Sequence, residues 1–370
     1  MNSILYLVIA MICAFLISAT LTPIVRVLAF KFKVTDVPKD NRRMHKKEMP
    51  LMGGLAIYLA FVITTVVFCT RNSADMRVIG MLLGATLIVV TGIIDDKYEM
   101  SAILKLLMQI ASGLIAYFSG ISIQQMELFG KIIDFEVMGI DGLVTVVWIV
   151  ALTNAINLID GLDGLSCGVS TISSFTLLIS LFHSPAPFFV ILIIAILAGS
   201  CLGFLPFNFN PARIFMGDTG ALFLGYAMST LSIMGCFKFN ALVSFWVPFL
   251  IFALPLMDTA FAFIRRILTG RSPFSADRGH VHHRLIDKGF DQRHSVMILY
   301  AISGISGVSA LLISVGNFFG GALILAVAAL ILVLMLTVGP DHTSGITKAG
   351  TEQKIENKTE AENENNSAQN

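Results

Sequence analysis

The stretch TNAINLIDGLDGLSCG, residues 153–168, sets Asn154, Asn157, Asp160 and Asp163 between two apolar runs. If its start is helical, Asn157 and Asp160 are three positions apart and share a face. Asp160 and Asp163 repeat that spacing across Gly161 and Gly164, and glycine lets a backbone approach a ligand closely. A turn at a helix end would explain the glycines but leaves the carboxylates and amides without a reason. A calcium loop fails on spacing, because no Glu closes a twelve-residue EF-hand pattern.

Four more polar clusters have chemical potential. Asp95 and Asp96, in GIIDDKYEMSAILK, are adjacent carboxylates that repel, which raises one pKa and makes a candidate general base or metal site. The plainer reading is a solvated pair at a helix end, although a helix C-terminus disfavours negative charge. In FNFNPARIFMGDTG, Asn208 and Phe215 precede Asp218, an acid that N-capping alone would justify. Phe215 is either an aromatic at a membrane interface or a ring that stacks on a flat nucleobase. DRGHVHHRL gathers Arg278, His280, His282, His283 and Arg284. Zinc would want cysteines and a different spacing; a cationic clamp for phosphate oxygens suits arginine forks and histidine donors. Arg42, Arg43, Lys46 and Lys47 extend this into a basic rim around an acidic centre. Contact with anionic headgroups would explain the rim but not the acids. Carboxylates inside a basic rim suggest Mg²⁺ and phosphates, since Mg²⁺ takes one or two carboxylates plus substrate phosphates and offsets charge in phosphoryl transfer.

The elements that must position these groups are apolar. The chain has 370 residues, 56% hydrophobic and 13% charged, with mean hydropathy +0.82, against roughly 25% charged in a soluble domain. Eleven stretches approach the roughly 20 apolar residues that cross a bilayer core: 3–28, 51–69, 78–94, 103–120, 142–156, 165–182, 187–205, 219–236, 241–264, 295–314 and 319–338. The expected class is an all-α polytopic membrane protein of about eleven transmembrane helices. The first run has no Lys or Arg before it and is too long for a signal-peptide core, so it reads as a retained span. Residues 1–339 form the expected transmembrane catalytic domain, and the polar, amide-rich segment 340–370 a disordered tail. The stretch ISIQQMELFGKIIDFEVMGI alternates enough for a small structural hairpin. The five cysteines lack CxxC spacing and read as small buried hydrophobes.

Positive residues favour cytoplasmic loops. With the N-terminus outside and the C-terminus cytoplasmic, 25 lysines and arginines fall on the inner side except Arg26, Arg71, Arg77, Lys131 and Lys238. All five polar clusters then share that inner side. Asp258, inside the ninth stretch, is costly there; it would pair with a site arginine or support helix packing. A transporter would hold its acids near the midplane within repeated halves, and no repeat is visible. A scaffold would leave five convergent polar loops unexplained.

In this order, DDKYEMSAILK, NAINLIDGLDGL, FNFNPARIFMGDTG and ADRGHVHHRL resemble the motifs of the polyprenyl-phosphate N-acetylhexosamine-1-phosphate transferases, over residues 1 to about 340. The resemblance implies a helical bundle, often dimeric, with its site on the cytoplasmic face of the plasma membrane. It implies transfer of a sugar-1-phosphate from a UDP-sugar to undecaprenyl phosphate, with release of UMP and a need for Mg²⁺ or Mn²⁺, and no nucleic-acid partner. By motif, Asp218 becomes the metal ligand with Asn157 assisting. Asp95, Asp96 and Asp160 become catalytic carboxylates, the first two with a general-base role on the lipid phosphate. Asp163, Asn208 and Phe215 would hold the uracil, while Lys46, Lys105, Arg278, His280, His282 and His283 would handle the phosphates. The muramoyl-pentapeptide branch carries three consecutive histidines. His280-Val281-His282-His283 instead resembles the branch that uses UDP-N-acetylglucosamine to start teichoic acid, O-antigen or related envelope glycans. A different UDP-N-acetylhexosamine remains the alternative. A lysine sometimes found three positions after the acidic pair is Glu99 here, and no role is assigned to it.

Overall fold

Apolar runs punctuated by glycine and proline dictate helices, and a computed structural model describes residues 3–37, 48–69, 75–128, 131–182, 184, 186–236, 241–270 and 279–338. Among them are α1 (Ser3–Lys31), α2 (Gly54–Cys69), α3 (Met76–Tyr98), α4 (Ala102–Phe118), α5 (Asp141–Leu158), α6 (Leu165–Phe182) and α7 (Phe188–Asn208). The chain continues through α8 (Gly217–Gly235), α9 (Ala241–Ile251), α10 (Ala253–Leu268), α11 (Val281–Asp287), α12 (Gln292–Ser314) and α13 (Phe318–Val338). Two short antiparallel ladders complete it: β1 (Thr35–Asp36) with β2 (Met49–Pro50), and β3 (Gln125–Leu128) with β4 (Lys131–Asp134). The second ladder is the expected hairpin. Lys46 and Arg278, with Arg42, Arg43 and Lys47 of the basic rim, lie outside the described residues, as does the tail 340–370.

Six of these helices, α1, α3, α5, α6, α7 and α12, are long and apolar enough to cross a membrane. Large side chains such as Val27, Val67, Phe118 and Phe319 are exposed, as lipid-facing residues of a helical membrane protein would be. The core is α8. Every residue from Thr219 to Gly235 is buried, and α2, α3, α5, α6 and α7 pack around it. Without a hydrophobic drive between helices in lipid, such packing relies on small residues that let backbones meet. Gly92 of α3 does this at the start of α8, where an added Cβ would overlap the Thr219 backbone. That contact brings the end of α3, with its two aspartates, against the first turn of α8.

The expected ninth span, 241–264, is corrected: it is two helices, α9 and α10, broken at Phe252. Pro255 causes the break. Proline has no N–H to bond the carbonyl four residues back, and its ring clashes with it. That carbonyl belongs to Ile251, and the Ser173 hydroxyl of α6 donates to it at 3.0 Å, so the freed group is satisfied inside the bundle. Beyond the break, Leu254, Asp258 and Ala262 form the buried stripe of α10, while Met257, Phe261, Ile264 and Leu268 are exposed.

Candidate active site

Asp95 and Asp96 end α3, but the helix they serve is α8. Asp96 accepts the backbone N–H of Asp218 at 2.8 Å, the N–H of Thr219 at 3.2 Å and the Thr219 hydroxyl at 2.6 Å. A negative charge unfavourable at the C-terminus of one helix thus becomes the cap of another, at its positive end. Gly217 allows this twice over: it has φ +70°, and a side chain there would run into the Asp96 carboxylate. Asp95 turns the other way, accepting the Met100 N–H at 2.7 Å and the Lys105 ammonium at 2.9 Å.

Lys105 also reaches Asp218, at 3.2 Å, so one ammonium bridges two carboxylates from α3 and α8. Asn157, at the end of α5, donates to the second Asp218 oxygen at 3.1 Å. One turn deeper, the Asn154 and Gln109 amides bond each other in both directions. They fix α4 against α5, and with them Lys105 and Asn157.

The α5–α6 turn supplies the remaining acids. Asp163 accepts from the Asn210 side chain at 3.0 Å and from the Ala212 N–H at 3.1 Å, while Asn210 also donates to Gln292 at 2.8 Å. Asp160 lies in the midst of carboxylates. Burial, then the charges of Asp218, Asp96 and Asp163, push its carboxyl well above the usual carboxylate range. Phe215 sits on a segment strapped to the chain before α2: its N–H donates to Pro50 and its carbonyl accepts from Gly53. Asn208 donates to the Ile214 carbonyl at 3.1 Å within the same loop.

These elements enclose a cavity of about 930 Å³. Asp95, Asp96, Asn157, Asp160 and Asp163 line it, as do Asn208, Phe215, Asp218 and His283. Residues distant in sequence therefore converge at one end of the bundle, as the motifs anticipate. His280 and His282 do not line the cavity: they are 5% and 3% exposed, behind His283. The sequence reading passed over Asn210, Gln292, Asp36 and Asp287, which also line the cavity, and Thr219, which bonds Asp96. Asn210 sat in the quoted FNFNPARIFMGDTG motif, whereas Thr219 acts through a partner 123 positions away. Among the described residues Asp258 holds His280; the site arginine Arg278 lies outside them.

Burial, with the charge of His283 beside it, pulls the His282 imidazole down to about 4. A histidine kept neutral by folding stabilises the protein fully above its ordinary value near 6.5, and that contribution is lost as pH falls toward 4. We expect unfolding free energy in detergent to fall over this window by up to about 3 kcal/mol, read as a lower thermal midpoint. In His282→Gln the same titration should be markedly flatter; an equally steep curve would contradict the assignment.

The donor set suits a hard divalent cation. Carboxylate and amide oxygens converge, burial and then the neighbouring carboxylates raise Asp160, and the Lys105 ammonium lies between Asp95 and Asp218 where positive charge is favoured. No preformed group of three His, Cys, Asp or Glu ligands occurs among the described residues.

Residues 78–236 match the model of glycosyl transferase family 4. Over 308 residues, 83% of this chain and 85% of the relative, it is 41% identical to a probable undecaprenyl-phosphate N-acetylglucosaminyl 1-phosphate transferase of Bacillus subtilis. It is 32% identical over 357 residues, 86% of each chain, to the decaprenyl-phosphate N-acetylglucosaminephosphotransferase of Mycolicibacterium smegmatis. With the phospho-N-acetylmuramoyl-pentapeptide-transferase of Staphylococcus saprophyticus it shares 29% over 329 residues, 83% of this chain and 98% of the relative.

Proposed function

The chain belongs to glycosyl transferase family 4, and from that premise we propose that it moves N-acetylglucosamine-1-phosphate from UDP-N-acetylglucosamine to undecaprenyl phosphate. The observation that carries this reading is the carboxylate cluster of Asp95, Asp96, Asp160 and Asp218 at the mouth of an apolar bundle, with Lys105 bridging Asp95 and Asp218. Such a place suits one water-soluble phosphate substrate and one borne by the bilayer. An oxygen of the lipid phosphate attacks the sugar-bearing phosphorus, the bond to the bridging oxygen breaks, and UMP leaves with that electron pair. A phosphate monoester has a second pKa near 6, so the acceptor is already a nucleophile and no side chain need take a proton from it. Asp95 and Asp96 then act chiefly as anchors, since each already accepts the bonds described above.

Mg²⁺, with Mn²⁺ able to replace it, is assigned to the Asp218 carboxylate and the Asn157 amide oxygen. When bound there it would neutralise phosphate charge and favour the departure of UMP. Lys105 and His283 steady the diphosphate and the lipid phosphate from the protein side, with Lys46 and Arg278 in the same role. Asp163 and Asn208 hold the uracil edge. Sugar choice follows the histidine motif toward N-acetylglucosamine, the product starting an envelope glycan of teichoic-acid or O-antigen type. The site faces the cytoplasm in this reading, and the protein works as a homodimer.

A panel of radiolabelled UDP-sugars, supplied in turn to purified protein with undecaprenyl phosphate, tests the donor. Label from UDP-N-acetylglucosamine should enter the lipid phase. Entry only from UDP-N-acetylgalactosamine or the muramoyl pentapeptide donor would overturn the sugar assignment and keep the reaction. Phe215 is assigned to stack on uracil. Phe215→Ala should weaken UDP-sugar binding by about 1–3 kcal/mol, the range for bases on aromatics, measured by calorimetry. An unchanged affinity would remove the stacking role.

A further inference from the structure

Asp258 is an ionisable residue 4% exposed in a helix otherwise facing lipid and protein. A buried carboxylate is costly unless its oxygens are satisfied, and both are. One accepts the Val281 N–H at 2.9 Å, and the other lies 2.9 Å from Nδ1 of His280. His280 precedes α11 and offers no cap of its own; the cap comes from α10 instead. From there the contacts run toward the cavity. The His280 ring stacks on His282, centroids 5.7 Å apart and planes within 9°, and His282 meets His283 at 4.3 Å. His283 lines the cavity. The other side of His282 presses on the acidic loop, where a Cβ at Gly161 would collide with its Nε2.

We propose that Asp258 is a positioning residue for the transfer reaction: by accepting from Nδ1–H of His280 and from Val281 it fixes the imidazole orientation and seats the histidine row, and so His283, against the Asp160–Asp163 loop. This rests on the transferase reading above. A carboxylate only accepts, so it selects the form of His280 protonated at Nδ1. An amide at 258 can still accept from Val281 N–H with its oxygen, which leaves its NH₂ facing Nδ1. The ring must then carry its proton on Nε2. Asp258→Asn therefore keeps the cap and inverts the tautomer.

The test pairs a spectroscopic readout with kinetics. In ¹⁵N-histidine-labelled full-length protein in detergent, with the His280 signals identified by their loss in His280→Gln, Nδ1 of wild type should be protonated. In Asp258→Asn the proton should move to Nε2. In parallel, kcat for lipid-linked product should fall roughly 10–100-fold, as for partners that orient a functional histidine. KM for UDP-N-acetylglucosamine should stay within about threefold, and His280→Gln/Asp258→Asn should be no slower than the slower single variant. An unprotonated Nδ1 in wild type, losses that multiply, or full turnover in Asp258→Asn would each overturn the proposal. Should Asp258→Asn fail to fold, the wild-type tautomer and the turnover of His280→Gln decide it. If wild type transfers no sugar phosphate, the transferase reading fails, while the nitrogen signals still judge the Asp258–His280 pair.

Discussion

Asp218→Asn should cut transfer roughly 10³-fold or more, the scale seen when a group that stabilises transition-state charge is removed. Asp218 is the point where α8, α5 and α4 meet: Asn157 binds one oxygen and Lys105 the other. The amide variant loses the charge and a hard oxygen ligand, and it turns a donor toward either Asn157 or the ammonium. The backbone is spared, because the Asp218 N–H that caps onto Asp96 is untouched. Thermal midpoint and yield should therefore stay close to wild type while the initial rate of lipid-linked product collapses and no added Mg²⁺ restores it. A rate within tenfold of wild type would remove Asp218 from the metal site.

Lys105→Met should lower turnover about 10²-fold while tightening Mg²⁺ binding about tenfold, or ~1.4 kcal/mol. The two effects have opposite signs for one reason. The ammonium lies 2.9 Å from Asp95 and 3.2 Å from Asp218, so it shares the carboxylates with any cation that binds there. Removing it leaves an uncompensated negative cluster, which draws the metal more strongly. The same change deprives the substrate phosphates of a donor. Metal titration by calorimetry and steady-state rates at saturating Mg²⁺ separate the two. Weaker Mg²⁺ binding in Lys105→Met would mean that the lysine builds the metal site rather than competing for it.

Much of the fold was legible because it rests on local signals. Runs such as 165–182 and 187–205 carry their own length and apolarity, and each is a helix. The clustering of Asn157, Asp160, Asp163, Asn208, Phe215 and Asp218 was legible too, since charge distribution put their loops on one side before any contact was known. What escaped depends on partners far away in sequence. Asp96 looks misplaced at the end of α3 until α8, 122 positions later, presents its N-terminus. Asp258 looked like a choice between an arginine and packing, and among the described residues it bonds a histidine 22 residues on, beyond the end of α10. The histidine motif was read as one clamp, yet burial divides it: His283 reaches the cavity and His280 and His282 stand behind. The split of the ninth stretch was signalled by Pro255, but hydropathy averages over a single proline.

The central claim is that a phosphoryl group moves with the sugar. UDP-N-acetylglucosamine labelled with ³²P at the sugar-bearing phosphorus, incubated with the purified protein, undecaprenyl phosphate and Mg²⁺, tests it directly. The label should pass into the lipid phase in step with release of unlabelled UMP, and EDTA should stop both. Label remaining in water as UDP, with sugar alone in the lipid, would contradict the account.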